Sequence, residues 1–316
     1  MIESGLSRSE SYPYPQMRTA QLIIAAVCRA KSAITRHNAK FGCEDDNDNN
    51  IYKQKKMIAG CIPPLTECYM SNKVPTNLDL LINEYKVILS TLIIDCQEQE
   101  SVCQVDVLLA ETLSTTREAQ AIIRSLAIIQ QTTKHIIPPL WISFTVHDNQ
   151  PTKLRSDESL VLTCQSIIQE ASELNITLKA IGINCSSPNA ISESIPILVQ
   201  LVEGMDIQVI AYGNCFKTTT SEWIERSLTN EENAVVTDGS NNACTLETRS
   251  STEIMDNKTT CDNNDDYDDN GILTVDAYSR YACEWARLGA QIIGGCCGCS
   301  PMHMQQVAIA LKAFEE

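Results

Sequence analysis

The sequence has no run of about 18 consecutive apolar residues, the length a helix needs to cross a bilayer, so no membrane span and no membrane partner is expected. Its opening, Met1-Ile2-Glu3-Ser4-Gly5-Leu6, has no basic patch followed by an apolar core and does not read as a secretory leader. Positive charge is scarce. A formal net charge of -16 excludes a nucleic-acid partner, because phosphate binding needs a basic face. Neither G-x-G-x-x-G nor G-x-x-x-x-G-K-[ST] occurs, so the glycine-rich phosphate turns of dinucleotide and nucleotide sites are missing. The missing leader, with the cysteine usage below, gives the expectation of a cytoplasmic chain.

What is present begins with length. The 316 residues suffice for a single large domain spanning 1–316, with a sizeable buried core. The acidity is local. Glu231 to Asp269 holds eleven acids against two bases, and Glu44 to Asp48 holds four more acids, which leaves the rest nearly balanced. Segments 41–50 and 229–270 are rich in Asp, Asn, Ser and Thr and poor in large apolar residues. They read as low-complexity acidic loop insertions that bury too little surface to offset their ordering entropy. Fifteen cysteines, an odd number at irregular spacing, argue against a disulfide scaffold and for reduced thiols. Cys28, Cys96, Cys103 and Cys164 lie among apolar residues and read as small buried hydrophobes. Cys244 and Cys261 fall in the second insertion and read as exposed thiols without a role.

Between the insertions the pattern alternates. Helical periodicity suits 16–36, 77–96, 116–133, 156–174, 189–203, 275–288 and 302–314. Short apolar runs at 57–59, 106–110, 140–145, 180–184, 208–212 and 291–293 have strand length, and most are continuous, as strands buried on both faces should be. Alternation of this kind predicts an α/β protein with parallel strands and helical crossovers. Six strands fit an open doubly wound sheet or part of a closed (β/α)8 barrel, and the missing glycine-rich turn favours the barrel.

The densest chemistry is Gly294-Gly295-Cys296-Cys297-Gly298-Cys299-Ser300-Pro301, between a short strand and a helix. Adjacent cysteines make a strained disulfide, whereas two thiolates on a flexible turn can face one cation. Cys185, in Gly182-Ile183-Asn184-Cys185, also stands just past a predicted strand. In a barrel every strand ends at one face, so Cys185, Cys296 and Cys297 would converge there as ligands of Zn2+. Three protein ligands leave a fourth position open, as in a catalytic site. With Cys299 as fourth ligand the site would be structural. At this point both remain open.

Ile292–Pro301 resembles the G-G-C-C-G-T-[ST]-P signature of the homocysteine S-methyltransferase family, and Gly182–Cys185 resembles its G-[VI]-N-C motif. Other blocks follow in order: Ala59–Leu65 resembles A-G-S-[IL]-x-P, Leu109–Thr112 resembles L-x-E-T, Leu154–Ser159 resembles L-x-[SD]-G-x-[SP], and Tyr212-Gly213-Asn214 resembles Y-P-N. The resemblance implies a TIM-type barrel in which Cys185, Cys296 and Cys297 hold zinc. It also implies that homocysteine takes the open position and attacks a sulfonium methyl donor, S-methylmethionine or S-adenosylmethionine, to give methionine. A neutral sulfide is a good leaving group, so no side chain is assigned as a catalytic acid or base. Glu111 matches the family position that holds the homocysteine amino group. Asn184 is expected to brace its neighbouring cysteine, and Tyr212 and Asn214 are expected to line the pocket.

The family's opening motifs, D-G-[GA]-x-[GA]-T and T-N-[TS]-Y, have no counterpart here, and Glu3-Ser4-Gly5-Leu6-Ser7 resembles the segment after its second strand. The expectation is therefore a barrel lacking the first two strands. Cys299 stands for the usual Thr, Cys61 for Ser and Gly213 for Pro. Two other readings remain beside the methyltransferase: a betaine- or selenol-type relative, and a truncated, catalytically impaired zinc-binding relative.

Overall fold

A computed structural model describes residues 15–41, 56–98, 104–217, 222 and 266–315. Segments 42–50 and 229–265 of the two expected insertions, with Cys103, Cys244 and Cys261, lie outside the described residues. So does the opening segment that contains Glu3–Ser7.

Helix α1 (Pro15–Phe41) precedes strand β1 (Ala59–Ile62). Then come α2 (Leu78–Ser90), β2 (Val107–Leu113), α3 (Thr116–Thr132) and β3 (Leu140–Phe144). A hairpin of β4 (Val146–His147) and β5 (Gln150–Leu154) leads to α4 (Leu160–Glu173) and β6 (Leu178–Asn184). The chain continues through α5 (Pro188–Leu201), β7 (Gln208–Gly213), α6 (Val275–Arg287), β8 (Ile292–Gly295) and α7 (Pro301–Glu315).

Six strands form one parallel sheet in the order β1-β2-β3-β6-β7-β8. Each neighbour is the next sheet strand along the chain, so the order never reverses. A doubly wound sheet needs such a reversal, and its absence makes this the curled, singly wound sheet of a (β/α) barrel. The expected fold class, a barrel-type α/β protein with six strands, is therefore met. The strand ends differ slightly. The first strand is Ala59–Ile62 rather than 57–59, and it stops where Pro63 and Pro64 remove backbone donors. The β4–β5 hairpin was not expected, since Gln150-Pro151-Thr152-Lys153-Leu154 has neither an apolar run nor a clear alternation.

Helix starts follow local chemistry. Asn77, Ser159, Ser187 and Thr274 each accept a backbone N–H with the side chain at an N-cap. Thr115 and Glu118 form a reciprocal capping box. The fourth helix begins at Leu160, later than its periodicity predicts, because Asp157 takes a left-handed φ of 65° and Ser159 caps the first turn. The second helix widens into a π-turn at Thr91–Asp95.

The buried apolar residues make one continuous cluster between sheet and helices, with Trp285, Tyr85, Tyr278 and Phe144 as its largest fully buried members. Cys96 and Cys164 are buried as expected. Cys28 is only partly buried and is disulfide-bonded, which corrects its reading as a buried apolar thiol. No described helix is long and apolar enough to cross a membrane.

Strands β6 and β7 pack closely at Gly182. A Cβ added at Gly182 would lie 2.0 Å from the Ile210 carbonyl oxygen, a backbone atom that cannot step aside. Gly182→Ala is therefore expected to destabilise the fold by about 3 kcal/mol or more. Gly204→Ala meets nothing within 4 Å and strains only its φ of 75°, costing about 1–2 kcal/mol. Urea midpoints of the two variants check the difference.

Candidate active site

The carboxyl ends of β2, β3, β6, β7 and β8 converge on one cluster of side chains. Its organiser is Asn184, the last residue of β6, which is fully buried. Its Oδ1 accepts from the Thr112 N–H at 2.8 Å and from the Ser143 hydroxyl at 2.8 Å. Its Nδ2 donates to Thr112 Oγ1 at 2.7 Å and lies 3.9 Å from Cys296 Sγ. These bonds have a local purpose. The β2–β3 register shifts between Ala110 and Leu113, and Thr112 sits in that bulge with a φ of 59°. A left-handed β-branched residue is costly, and the Asn184 bonds hold it in place. The bulge re-aims the neighbouring Glu111.

Glu111 accepts from Cys61 Sγ at 2.7 Å on one oxygen and from the Tyr212 hydroxyl at 3.1 Å on the other. The Tyr212 and Ser143 hydroxyl oxygens lie 2.7 Å apart. Burial and the Glu111 charge both push the Tyr212 hydroxyl and the Cys61 thiol above their ordinary ranges, so both remain protonated donors. Cys61, standing where the family has Ser, keeps a donor on this carboxylate.

Cys185 follows β6 with a φ of 51°, its N–H on the Tyr212 carbonyl and its own carbonyl accepting from Thr145. Cys296 and Cys297 follow β8. The Cys296 N–H reaches the Gly213 carbonyl at 2.9 Å, and the Cys297 carbonyl accepts from the Cys215 N–H at 2.8 Å. The Sγ atoms of Cys185, Cys296 and Cys297 all lie within 4.8 Å of one another, with Cys185 and Cys297 at 3.6 Å. Gly213, where the family has Pro, donates its N–H to the Tyr278 hydroxyl at 3.0 Å, a bond proline lacks. Tyr278 in turn donates toward the Gly213 and Gly294 carbonyls and so ties β7 to β8.

The three thiols share their protons unequally. Hydrogen bonds from Cys185 and Cys296 hold Cys297, the exposed member, down at about 3. Cys296, which donates to Cys185 and Cys297, is held well above the ordinary thiol range, with burial adding to the rise. A triad that already stabilises one thiolate, with soft donors on two converging turns, fits Zn2+ in chemistry and number. Cys299 does not join it. Its Sγ lies 2.8 Å from Cys215 Sγ, and the metal-capable group among the described residues is limited to Cys185, Cys296 and Cys297. A four-coordinate ion held by these three thiols would take its fourth ligand from outside the triad.

Beside the triad lies a cavity of about 590 Å³ whose lining includes Glu67, Cys68, Tyr69, Glu111, Cys185, Asn214, Phe216 and Cys297. Asn214 lines it, and among the described residues its buried Oδ1 has no hydrogen-bond partner. Tyr212 and Asn184 stand behind the cavity rather than on its wall, because their polar atoms are engaged with Glu111, Ser143 and Thr112. Three contributors are not legible in the sequence. Ser143 and Thr112 lie in strand ends noted for an apolar run and a motif resemblance, but neither has an expected role there. Tyr69 hydrogen-bonds Cys185 and Cys297 from the loop after β1. Tyr69 lies under the Arg155 guanidinium at 5.7 Å, and Arg155 is itself locked to buried Asp148 at 3.1 Å.

Comparison with known proteins is consistent with this geometry. The family model described as homocysteine S-methyltransferase matches residues 5–311. Homocysteine S-methyltransferase YbgG of Bacillus subtilis (strain 168) is 26% identical over 214 residues, covering 66% of this chain and 48% of its own length. The chain thus spans about half the length of that curated relative. The homocysteine methyltransferase MmuM from Escherichia coli in its apo form superposes with a TM-score of 0.58 at 15% identity, over 96% of this chain and 77% of that one. Its metallated form gives a TM-score of 0.58 at 15% identity, over 93% and 72%. At such identity the match speaks for the fold.

The thiol asymmetry gives a test. With Cys297 held at about 3, it stays a thiolate in mildly acidic solution, where ordinary thiols are protonated. In metal-free protein at about pH 6, where a free thiol near pKa 8.5 is almost wholly protonated, iodoacetamide is expected to modify Cys297 well before Cys296. Peptide mass mapping reads the order, and equal rates would contradict it.

Proposed function

The chain belongs to the homocysteine S-methyltransferase family, and on that premise we propose that it transfers a methyl group from S-methylmethionine or S-adenosylmethionine to homocysteine, forming methionine. The observation that carries the reading is the juxtaposition of three thiols within 4.8 Å with a cavity lined by Glu111. Cys185, Cys296 and Cys297 are the residues that would hold Zn2+. When bound, zinc supplies the positive charge that lets the homocysteine thiol exist as a thiolate near neutral pH.

The chain's own residues do the positioning. Glu111 accepts the ammonium group of homocysteine on the lone pairs that Cys61 and Tyr212 leave free, and those two donors fix its orientation. Asn214 stands on the same cavity wall and adds a polar residue beside Glu111. Asn184 holds the Thr112 bulge on which the direction of Glu111 depends.

The charge of the wall suits a cationic donor. Among the described residues that line the cavity there are two carboxylates, Glu67 and Glu111, and no Lys, Arg or His. Tyr69 and Phe216 add aromatic faces that attract a sulfonium. In the methyl transfer the homocysteine sulfur forms a bond to the methyl carbon as the donor sulfur takes back its electron pair. The donor leaves as a neutral sulfide, and no protein proton is needed. Alignment of sulfur, methyl and leaving sulfur is therefore the main contribution left to the chain.

The purified chain should hold about one zinc and form methionine from homocysteine and either donor, and Cys185→Ser, Cys296→Ser and Cys297→Ser should each lose the metal. Glu111→Ala should keep the zinc and lower kcat/KM for homocysteine by on the order of 100-fold. Full zinc with no methionine from any sulfonium donor would overturn the proposed reaction.

A further inference from the structure

Two thiols outside the triad face each other beside the site. Cys215, two residues past β7, is fully buried, and Cys299, in the turn after β8, is half-buried. Their sulfurs are 2.8 Å apart. That is well inside ordinary nonbonded sulfur contact and within reach of the ~2.05 Å of a disulfide. The backbone already fixes both partners. The Cys215 N–H donates to the Cys297 carbonyl, the Cys215 carbonyl accepts from Leu273, and the Cys299 N–H donates to the Cys296 carbonyl. Gly295 leaves room for the Cys299 side chain, since a Cβ there would meet Cys299 Sγ at 2.7 Å. Neither sulfur belongs to the triad of Cys185, Cys296 and Cys297.

We propose that Cys215 and Cys299 form a redox-active dithiol that closes into a disulfide, stapling the end of β7 to the turn 296–299. The oxidant is a low-molecular-weight disulfide, R–S–S–R. Cys299, the accessible partner, attacks one of its sulfurs and releases a first RSH, which carries away the equivalent of the Cys299 proton. The product is the mixed disulfide Cys299–S–S–R. Cys215 then attacks the Cys299 sulfur and releases the second RSH with the remaining proton. The two protein thiols lose two electrons in total, and the small disulfide gains them. Exposure decides the order, since the small disulfide reaches Cys299 but not fully buried Cys215.

The bond spans 84 residues of sequence and joins two turns that face the cavity. It fixes the turn that carries Cys296 and Cys297 without using either. The inference stands on the pair itself and holds whether or not the methyltransferase reading does.

The test treats the full native chain with oxidised glutathione, then quenches, denatures, alkylates and maps the peptides. The expected result is a peptide pair linked through Cys215 and Cys299, with two hydrogens lost. Cys215→Ser should stop at a stable glutathione adduct on Cys299. Cys299→Thr should form neither the cross-link nor an adduct on Cys215. Cys215 and Cys299 both alkylated after oxidation would overturn the proposal. So would a disulfide joining either of them to Cys185, Cys296 or Cys297.

Discussion

The site depends on one side chain, the amide of Asn184. It sits at the end of β6, fully buried, and spends its hydrogen-bonding capacity on three neighbouring strand ends. Toward β2 it holds Thr112 in a left-handed bulge, toward β3 it takes the Ser143 hydroxyl, and toward β8 it faces Cys296. A buried amide with unmet bonds costs on the order of 1–3 kcal/mol per lost partner, so this network has one satisfied arrangement. That arrangement aims Glu111 and places Cys185, the next residue along, against the cysteine pair. The clustered thiols and the carboxylate are thus oriented by the same residue.

Around this hub the parallel sheet does the large-scale work. Because its strands run in sequential order, all their carboxyl ends meet at one face, and residues far apart in sequence become neighbours. Cys185 and Cys297 are 112 positions apart in the chain and 3.6 Å apart at their sulfurs. Tyr278 locks β7 to β8 by bonding Gly213 and Gly294, and that lock tolerates glycine where the family has proline. Arg155, ion-paired to Asp148 and stacked on Tyr69, carries the same rigidity into the loop that covers the triad. The substitutions that depart from the family motifs therefore each have a physical place. Cys61 donates to Glu111, Gly213 donates to Tyr278, and Cys299 turns toward Cys215 instead of the triad.

Much of this was legible in the amino-acid order, for identifiable reasons. Continuous apolar runs between amphipathic segments mark doubly covered strands, and β3, β6 and β7 fell where those runs lie. Cys296-Cys297 and Asn184-Cys185 carry their chemistry in adjacent residues, so local spacing reveals them. The hairpin Val146–Leu154 was not legible, because its pairing involves few apolar residues and is set by the surrounding structure. The roles of Ser143, Thr112 and Tyr69 were hidden for a related reason. Each is defined by a partner 41 or more positions away or by a backbone bulge, and nothing in its own neighbourhood announces it. The exclusion of Cys299 from the triad likewise depends on Cys215, which no local pattern links to it.

The central claim is that Cys185, Cys296 and Cys297 hold one metal ion and leave a fourth position for the substrate sulfur. X-ray absorption at the zinc edge, on the zinc-loaded chain with and without homocysteine, tests it most directly. The account predicts three sulfurs at about 2.3 Å and one lighter neighbour in the free protein, with that neighbour replaced by a fourth sulfur when homocysteine is added. Four sulfurs before any substrate is present, or no change in the sulfur count on adding it, would contradict the account.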